Sequence, residues 1–431
     1  MAKLPVIEGQ QVVLTVEDLS HMGDGVGRYQ GFTLFVPGGL PGEKVLATVT
    51  RLKKNYGTAQ MDEIIQYAPV RTTPVCEEYN ACGGCQLQHL NYREQLAWKQ
   101  SFVANTLKKI GGLSVEISPI LSMAEPWTYR NKVQLHVGMV HGRRRLGFYQ
   151  PGSHNLVPVT NCRLLPEGFQ DIISQFNEFI GTEKNIKQVW LRKSFTYQEI
   201  MAVVFVVGNN LPRNIGRVIG GMDNTSMVVM NNKRHVLKIY GNDHIKERIG
   251  QLVFLISPLS FFQINPVQTE ALYKCASSFA QLTGTETLWD LYCGTGTLGL
   301  YMADKCNKLF GVEADASAVK DAKSNVALNG ISNAKFYHGK VEDTLADIWE
   351  SNEDNVVILD PPRKGCHEKT INALLKFLPN RIVYVSCNPA TLARDLKALS
   401  PSYTVRQVQA VDMFPQTSHV ETVVLMSRVE K

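Results

Sequence analysis

The second half of the sequence alternates apolar strand-like runs with helical stretches, and this order limits the possible folds more than any other feature. A helical pattern follows Asn265-Pro266 and runs to about residue 281. Apolar runs then recur at residues 288–292, 308–313, 356–360 and 381–385. Strands that are apolar on both faces and separated by helices are typical of a parallel sheet with helices on both sides. We therefore predict a doubly wound, Rossmann-like α/β domain over residues 257–431.

Short alternating apolar runs and glycines occupy the N-terminal part of the chain. The runs lie at residues 12–16, 32–36, 44–49 and 57–61, and their period of two predicts strands. We expect a small, OB-like antiparallel β-barrel of about five strands over residues 1–70. No helical pattern follows Gly23, Gly25 and Gly27, so this run is interpreted as turns between strands rather than as a phosphate-binding loop.

A region of mixed character lies between these two parts, over residues 71–256. A helical pattern over residues 92–110 ends at Gly111-Gly112, and this helix could pack on the third domain. Strand-like runs follow at residues 133–137, 189–191 and 201–207. We predict a strand-rich central domain, which makes three domains in a chain of 431 residues.

Composition narrows the choice of partners and of compartment. The net charge is only +6, but basic runs at residues 51–54, 143–145, 192–193 and 233–234 suit contact with phosphates as well as ordinary solvated surface. The N-terminus lacks the apolar core of a secretory signal, and residues 201–207 are too few to span a bilayer. We therefore expect a cytoplasmic protein without a membrane partner. The sequence leaves the oligomeric state open, and a monomer is expected. Nine cysteines in a reducing compartment indicate metal binding or catalysis rather than disulfides.

A glycine-rich loop follows the first strand of the predicted parallel sheet. Gly294, Gly296 and Gly299 lie between a strand and a helix, where they let a ligand approach the backbone closely. Glu313, at the end of the next strand, can accept hydrogen bonds from ribose hydroxyls. Both features fit a nicotinamide dinucleotide and S-adenosylmethionine equally well. The loop thus predicts a nucleoside site and leaves the nucleoside open.

Two motifs further along the chain separate these possibilities. Asp360-Pro-Pro-Arg363 and Ser386-Cys387-Asn-Pro389 each lie just beyond the carboxyl end of a predicted strand, the edge at which such sheets bind ligands. A dehydrogenase needs no cysteine there, whereas methylation of a pyrimidine at carbon 5 does. Carbon 5 of uracil is a poor nucleophile until a thiolate adds to carbon 6 and produces an enolate. Cys387 is therefore the predicted nucleophile, with a buried structural thiol as the alternative.

The same reaction needs a base, because the proton on carbon 5 must leave before the thiolate can be expelled. Glu421 begins the last strand-like run and is the candidate base, and the alternative is an exposed carboxylate at a strand terminus. Four other cysteines show no paired spacing and are interpreted as packing residues: Cys275, Cys293, Cys306 and Cys366.

The remaining cysteines predict an inorganic centre. Cys76, Cys82 and Cys85 fall within ten residues, with two glycines that allow the backbone to wrap a small ligand. Cys162 is the candidate for the fourth ligand. Three clustered cysteines and one distant one favour a [4Fe-4S] cluster over tetrahedral zinc, which more often takes two close pairs. We expect a structural role, because methyl transfer needs no electron.

One further motif, Ser260-Phe-Phe-Gln-Ile-Asn-Pro266, leads into the first helix of the α/β domain. Together with the barrel, the four cysteines, the glycine loop and the two strand-end motifs, it resembles the RNA m5U methyltransferases of the RlmD/RumA type over nearly the whole chain. The resemblance implies an RNA-binding TRAM domain at the N-terminus, with Cys387 as nucleophile and Glu421 as base. It also implies S-adenosylmethionine contacts for Gln263, Tyr292, Glu313 and Asp360, with Thr297 lining the same site.

The resemblance also favours a substrate. The tRNA-specific bacterial branch of these enzymes looks like a shorter chain that lacks the barrel and the cysteines, so 23S rRNA is the expected RNA and tRNA the alternative. The target uridine must leave any stack to reach Cys387, so a flipped base held against aromatic side chains is expected.

Two rival functions stay open. Methylation of an amino group on adenine or guanine would need no cysteine and would favour an aromatic residue in place of Arg363. An iron–sulfur RNA-binding protein without activity would show no methyl transfer at all.

Overall fold

The structure is a computed structural model that describes residues 4–349 and 354–429. Its internal contacts separate two compact units. The first comprises the described residues up to Phe102 together with Phe414–Ser418. The second comprises Val103–Met413 and the described residues from His419 onward. No helix in the described ranges is both long enough and apolar enough to cross a bilayer.

The first unit is built on a closed five-stranded β-barrel, as the alternating apolar runs predict. Its strands are β1 (Gln11–Leu19), β2 (Gly25–Tyr29), β3 (Phe32–Val36), β4 (Lys44–Leu52) and β5 (Tyr56–Gln66). They close in the order β1-β2-β3-β5-β4, with β3 and β5 parallel and the other pairs antiparallel. Every second side chain points inward, so that Leu34, Val36, Val45 and Ala47 are fully buried.

Two of the glycines interpreted as turn residues lie inside a strand instead. Gly23 has a left-handed conformation in the turn before β2 (φ +87°), but Gly25 and Gly27 belong to β2 itself. A Cβ atom on Gly27 would lie 2.3 Å from a methyl carbon of Leu14 and 2.5 Å from the carbonyl oxygen of Thr15. The turn interpretation was wrong for these two positions, because glycine there permits a close approach of neighbouring strands.

A long helix follows the cysteine-rich segment. Helix α1 (Tyr92–Thr106) continues into one π-helical turn (Leu107–Gly111) and ends at Gly112, whose left-handed conformation (φ 69°) matches the predicted stop. The π-helical turn contacts a helix of the second unit that begins at Pro389. A short strand, β6 (Ser118–Leu121), comes next in the chain.

A loop from near the C-terminus belongs to the first unit. The Nε2 amide of Gln95 donates a hydrogen bond to Oε1 of Gln416 (2.9 Å), and the backbone N–H of Gln416 donates to Oε1 of Gln95 (3.1 Å). The buried Lys99 Nζ donates to the carbonyl oxygen of Phe414 (3.0 Å). These bonds hold Phe414–Ser418 against residues more than 300 positions away in the sequence.

A seven-stranded sheet forms the strand-rich middle of the chain that the sequence predicts. Its strands are β7 (Lys132–Val140), β8 (Arg143–Tyr149), β9 (Leu156–Pro158), β10 (Ile186–Lys193), β11 (Ile200–Val206), β12 (Thr225–Asn231) and β13 (Val236–Tyr240). They lie in the order β13-β12-β11-β10-β7-β8-β9. Helix α2 (Phe169–Phe179) and the sheet share one apolar core, in which Phe176, Val189 and Val204 are fully buried. A separate hairpin of β14 (Ile245–Ile249) and β15 (Leu252–Ile256) follows.

An eight-stranded sheet forms the C-terminal half of the chain. The strands that join β6 in it are β16 (Thr287–Leu291), β17 (Lys308–Glu313), β18 (Ala334–His338), β19 (Asn355–Leu359), β20 (Arg381–Ser386), β21 (Tyr403–Val411) and β22 (Glu421–Arg428). Their order is β18-β17-β16-β19-β20-β22-β21-β6, and the first five are parallel. Strands β16 and β19 are buried along their whole length, which explains their continuous apolar sequence.

Helices connect the strands of this sheet and complete the predicted α/β fold. They are α3 (Pro266–Ala280), α4 (Thr297–Leu300), α5 (Ala316–Leu328), α6 (Val341–Ile348), α7 (Glu368–Phe377) and α8 (Pro389–Leu399). Helices α3 and α8 start in the same way: an asparagine caps the N-terminus, and a proline occupies the first turn. The capping asparagines, Asn265 and Asn388, belong to the two motifs that precede these helices.

Two segments of the predicted central range contact the large sheet or its helices. Strand β6 pairs with β21 at the sheet edge. The backbone N–H groups of Val253 and Leu255 in β15 donate to the side-chain oxygens of Asn329 (2.9 Å) and Asn325 (2.8 Å) at the C-terminal end of α5. The domain boundaries after residues 70 and 256 stay predictions.

Candidate active site

The candidate site lies at the carboxyl ends of the parallel strands. The order of the sheet reverses at β16, with β17 and β18 on one side and β19 and β20 on the other. Connections on the two sides of such a point leave in opposite directions, which opens a crevice for a ligand. Tyr292, Glu313, Asp360 and Cys387 all lie at or directly after strand ends on this edge.

The glycine loop after β16 has the backbone geometry of a close-approach loop. Tyr292 (φ 64°) and Gly296 (φ 78°) both adopt left-handed conformations. A Cβ atom on Gly296 would lie 2.7 Å from the ring of Phe336, so that glycine is required there. The N–H of Gly294 donates to Oε2 of Glu313 (3.0 Å). Glu313, the predicted ribose-binding residue, therefore lies directly against the loop.

Asp290 belongs to this site, although the motif pattern did not single it out. Its Oδ2 accepts a hydrogen bond from the Gly299 N–H (2.9 Å), and its buried Oδ1 has no hydrogen-bond partner among the described residues. Burial raises the pKa of Asp290 to about 7; the nearby Asp360 and Glu313 raise it too, against the effect of the Gly299 hydrogen bond. The available signal was an acidic residue inside an otherwise apolar strand.

Asp290 therefore lies close enough to two further carboxyl groups, those of Asp360 and Glu313, for both to raise its pKa. Burial also raises the pKa of Asp360 to about 7. Because Asp290 lies within electrostatic reach of both Asp360 and Glu313, a ligand with a positive charge would be favoured beside these carboxyl groups. A sulfonium group carries such a charge.

Hydroxyl groups extend the site along α4 and α7. The Thr297 and Tyr273 hydroxyls are hydrogen-bonded (2.6 Å), and Tyr273 is close enough to Asp360 and Asp290 for both carboxyl groups to raise its pKa, although burial has the larger effect. The Tyr292 hydroxyl is hydrogen-bonded to Oγ1 of Thr370 (3.1 Å). Thr297 begins α4, and Tyr292, in the loop after β16, is hydrogen-bonded to a residue of α7.

Gln263 lies in the turn before α3. Its side chain is 8% exposed, and its carbonyl oxygen accepts a hydrogen bond from the Asn131 side chain (3.0 Å). Helix α3 contacts β20, which Cys387 directly follows, and β22, which begins with Glu421. The contacts described for Gln263 fix its backbone, and its predicted role in binding S-adenosylmethionine stays a prediction.

Cys387 directly follows β20 and precedes the first turn of α8. The thiol is half-buried. Burial raises its pKa to about 12, the carboxyl groups of Glu421 and Asp360 act in the same direction, and the Arg363 guanidinium lowers it. A nucleophilic thiolate at this position would need a compensating positive charge, because burial and both carboxyl groups favour the neutral thiol.

Glu421 is the first residue of β22, next to the residue that pairs with Ser386 of β20. Its side chain is 5% exposed, which excludes the alternative of an exposed strand-end carboxylate. Burial raises its pKa to about 8, the nearby Asp360 adds to this effect, and Arg363 opposes it. Antiparallel pairing of β20 with β22 therefore brings Cys387 and Glu421 together although they are far apart in the sequence.

Two of the other cysteines in the loops beside the large sheet fit the packing interpretation. Cys293 and Cys306 are buried, and burial raises the pKa of both thiols. Cys366 differs from the packing interpretation, because its Sγ donates a hydrogen bond to the Tyr384 hydroxyl (3.4 Å) within a polar network.

The cysteines of the predicted inorganic centre are half-buried: Cys76, Cys82, Cys85 and Cys162. Three of them lie on a segment of turns between β5 and α1, where the N–H of Gly84 donates to Sγ of Cys82 (3.4 Å). In the described parts of the chain, no group of three or more His, Cys, Asp or Glu side chains is arranged to hold a metal ion. The metal site stays a prediction.

Comparison with known families matches two parts of the chain. Residues 5–61, which contain most of the barrel, match the TRAM domain. Residues 241–429, which contain the whole candidate site, match the tRNA (uracil-5-)-methyltransferase family.

Individual relatives match nearly the whole chain. An uncharacterised RNA methyltransferase of Listeria innocua is 40% identical over 97% of this chain and 98% of that protein. One from Clostridium acetobutylicum is 39% identical over 99% of both chains. The crystal structure of the Pyrococcus abyssi tRNA (uracil-54, C5)-methyltransferase in complex with S-adenosyl-L-homocysteine is 28% identical, with a TM-score of 0.77, and the match covers 96% of this chain and 100% of that one. The chain therefore belongs to the tRNA (uracil-5-)-methyltransferase family of S-adenosylmethionine-dependent RNA methyltransferases, and it carries an N-terminal TRAM domain.

Proposed function

We propose that this enzyme methylates carbon 5 of a uridine in 23S rRNA through a covalent adduct between Cys387 and carbon 6 of the base. The observation that carries the proposal is the grouping of Cys387, Glu421 and Asp360 at the same edge of the sheet as the glycine loop. A thiol that faces a buried carboxyl group has no use in methylation of an exocyclic amino group. The same pair is what substitution at carbon 5 requires.

The protein residues act in a definite order. The Cys387 thiolate adds to carbon 6, and the electron pair of the 5,6 double bond moves towards the O4 carbonyl. S-adenosylmethionine supplies an electrophilic methyl group, which carbon 5 takes with loss of S-adenosylhomocysteine. The Glu421 carboxylate then accepts the proton from carbon 5, the carbon–hydrogen electron pair restores the double bond, and the thiolate leaves.

Residues of the proposed donor site fit a nucleoside with a sulfonium group: Gln263, Tyr292, Asp290, Glu313, Asp360 and Thr297. Glu313 can accept hydrogen bonds from ribose hydroxyls, as acidic residues in this position do in related sheets. Asp290 and Asp360 offer negative charge to the sulfonium.

RNA that contains 5-fluorouridine at the target position tests the mechanism. In this base fluorine takes the place of the proton on carbon 5, and it cannot leave as a cation, so the adduct should accumulate and be visible as a protein–RNA band in denaturing gels. Cys387→Ala should give neither adduct nor methylated product. Methylation by that variant would refute the covalent mechanism.

The RNA substrate is a finer part of the proposal. The barrel and the cysteine motif support 23S rRNA as the substrate, because the tRNA-specific bacterial enzymes of this family look like shorter chains that lack both features. A tRNA substrate is the second candidate, favoured by the full-length match to the Pyrococcus abyssi enzyme, a tRNA (uracil-54, C5)-methyltransferase. Methyl transfer to 23S rRNA and to tRNA transcripts, measured side by side, separates the two. Mapping of m5U in rRNA from a deletion strain then identifies the position.

We also propose that a [4Fe-4S] cluster is held by Cys76, Cys82, Cys85 and Cys162, with zinc as the alternative. The turn-rich backbone around the first three, and an amide that points at a cysteine sulfur, are features that such centres use. Protein purified without oxygen should be brown and contain iron and sulfide. Cys82→Ser should lose the colour, whereas Cys306→Ser, a buried thiol elsewhere, should keep it. Colourless, active protein with bound zinc would contradict the cluster.

A further inference from the structure

Helix α8, directly behind Cys387, holds the backbone of the loop that carries Arg363. Four side chains of this helix and its cap make the contacts. Asn388 Nδ2 (3.0 Å) and Thr391 Oγ1 (3.2 Å) donate to the carbonyl oxygen of Arg363. Arg394 Nη2 donates to the carbonyl oxygens of Lys364 (3.0 Å) and Cys366 (3.4 Å). Asp395 Oδ2 accepts a hydrogen bond from the N–H of Cys366 (2.8 Å). We call residues 363–366 the arginine loop.

The carboxylate at the centre of this arrangement is itself fixed. Asp395 is 2% exposed and accepts a hydrogen bond from the Tyr384 hydroxyl of β20 (2.7 Å). Arg394 pairs with its other oxygen (2.7 Å). A Cβ atom on Gly365 would lie 2.5 Å from Arg394 Nη2 and 2.6 Å from Asp395 Oδ2, and Gly365 is left-handed (φ +79°). The arginine loop therefore fits closely against α8, and only glycine allows this fit.

The arginine loop brings a positive charge to the nucleophile. Three charged groups act on the Cys387 thiol: Glu421 from β22, Asp360 from the end of β19, and Arg363 from the loop. Arg363 Nη2 also lies 3.4 Å from Nε2 of His419. Burial and the two carboxyl groups raise the pKa of Cys387, and Arg363 lowers it. Arg363 is exposed, so the position of its charge depends on how firmly its backbone is held.

We propose that Arg394 and Asp395 are positioning residues, which hold the arginine loop so that the Arg363 guanidinium stays beside Cys387 and favours the thiolate. The inference rests on the proposed function only in taking Cys387 as the nucleophile. It links two motifs that are separate in the sequence, because the residues after Ser-Cys-Asn-Pro bind the residues after Asp-Pro-Pro. Arg363 and the positioning residues would then act on the thiol through one path.

The chain offers a matched control at the opposite edge of the same sheet. Arg381 donates to two carbonyl oxygens, those of Ala280 (3.0 Å) and Gln281 (3.3 Å), and pairs with the carboxylate of Glu286 (3.1 Å). Arg394 makes the same set of bonds around the arginine loop. Arg394→Lys and Arg381→Lys therefore remove comparable contacts, and only the first acts on the loop that carries Arg363.

The test measures the reactivity of the thiol without RNA. Full-length protein is alkylated with iodoacetamide over a range of pH, and the modified Cys387 peptide is quantified by mass spectrometry. Arg363→Gln should move the profile to higher pH by roughly 0.5 pH unit or more, because a nearby cation that favours the thiolate is lost. Arg394→Lys should move it in the same direction, and Arg381→Lys should match wild type. An unshifted Arg394→Lys profile beside a shifted Arg363→Gln profile would overturn the proposal, as would an equal shift in Arg381→Lys.

A double variant tests the shared path. Arg363→Gln combined with Arg394→Lys should shift the alkylation profile no further than Arg363→Gln alone, because Arg394 acts through Arg363. Additive shifts would overturn the proposal. In methylation assays Arg394→Lys should lower kcat at neutral pH, leave KM for RNA unchanged and recover at higher pH. If Cys387→Ala still methylates RNA, the proposed function fails, while the alkylation result for Arg394→Lys keeps its meaning.

Discussion

The two edges of the large sheet both contain buried carboxyl groups, and they treat them in opposite ways. At the amino edge, burial tends to raise the pKa of Glu286, but hydrogen bonds from Thr283 and the charge of Arg381 outweigh it, and the pKa is lowered. At the carboxyl edge, burial raises the pKa of Asp360 to about 7 and that of Glu421 to about 8. A paired carboxylate stabilises the fold, whereas a carboxyl group poised near neutral pH is suited to proton transfer and costs stability.

The largest expected effect concerns the thiols of the two edges. Cys387→Ala should abolish both adduct formation and methyl transfer, because the variant lacks the thiol proposed to add to carbon 6. Cys306→Ala removes a buried thiol just before β17, at the amino edge, and should keep turnover within a few-fold of wild type. Methyl incorporation into RNA from labelled S-adenosylmethionine measures both. Equal losses of methyl transfer in the two variants would mean that Cys387, like Cys306, contributes only to packing.

The second prediction compares the two glutamates. Glu421→Gln should still form the adduct but turn over about 10²- to 10⁴-fold more slowly, because the proton on carbon 5 has lost its acceptor. Glu286→Gln should leave turnover near wild type. Single-turnover kinetics with RNA resolve adduct formation from product release. Product release at the wild-type rate in Glu421→Gln would show that a residue other than Glu421 is the base.

The third prediction concerns pH. The base must be deprotonated to act, and the pKa of Glu421 is raised to about 8, so its reactive fraction falls about tenfold for each pH unit below that value. Turnover with saturating RNA and methyl donor should therefore rise from pH 6.5 to pH 8.5. The residual activity of Glu421→Gln should rise less steeply with pH, because only the ionisation of the Cys387 thiol then contributes to the pH dependence. A flat wild-type profile would contradict a base with a raised pKa.

The smallest expected effect is on stability, and it has opposite signs at the two edges. Burial raises the pKa of Glu421 from its ordinary value of 4.5 to about 8. Between these two pH values the unfolded chain has lost the Glu421 proton while the folded chain still holds it, so the free energy of unfolding falls as the pH rises. Glu421→Gln should therefore raise Tm, and more at pH 8 than at pH 5. The lowered pKa of Glu286 contributes stability above its ordinary value of 4.5, which is lost as the pH falls.

Glu286→Gln should accordingly lower Tm at pH 8. The loss of a buried, charge-assisted hydrogen-bond acceptor is worth about 1–3 kcal/mol, and each kcal/mol shifts Tm by about 2–4 °C in domains of this size. Thermal unfolding at the two pH values measures both variants. The same sign for both would show that the edges do not differ in the way proposed here.

The sequence predicts much of the fold because its local patterns report burial directly. Continuous apolar runs correspond to β16 and β19, which are buried on both faces, and alternating runs correspond to the barrel strands. The sequence predicts that the glycine loop and Cys387 share one site, because the strand ends of a parallel sheet meet at one edge. Gly25 and Gly27 were misread as turn residues, because only the packing of neighbouring strands reveals why a strand contains glycine.

The sequence by itself determined the chemistry that is local to each motif. It placed a thiol, Cys387, directly after one strand, an acidic residue, Glu313, at the end of another, and glycines in the loop where the backbone must turn. The tertiary structure decided which of these groups act on one another. Antiparallel β22 places Glu421 beside Cys387, the burial of Asp290 and Asp360 moves their pKa values towards neutrality, and α8 fixes the loop that carries Arg363. The physical reason is that burial, charge proximity and long-range hydrogen bonds depend on distances in space, which no spacing along the chain records.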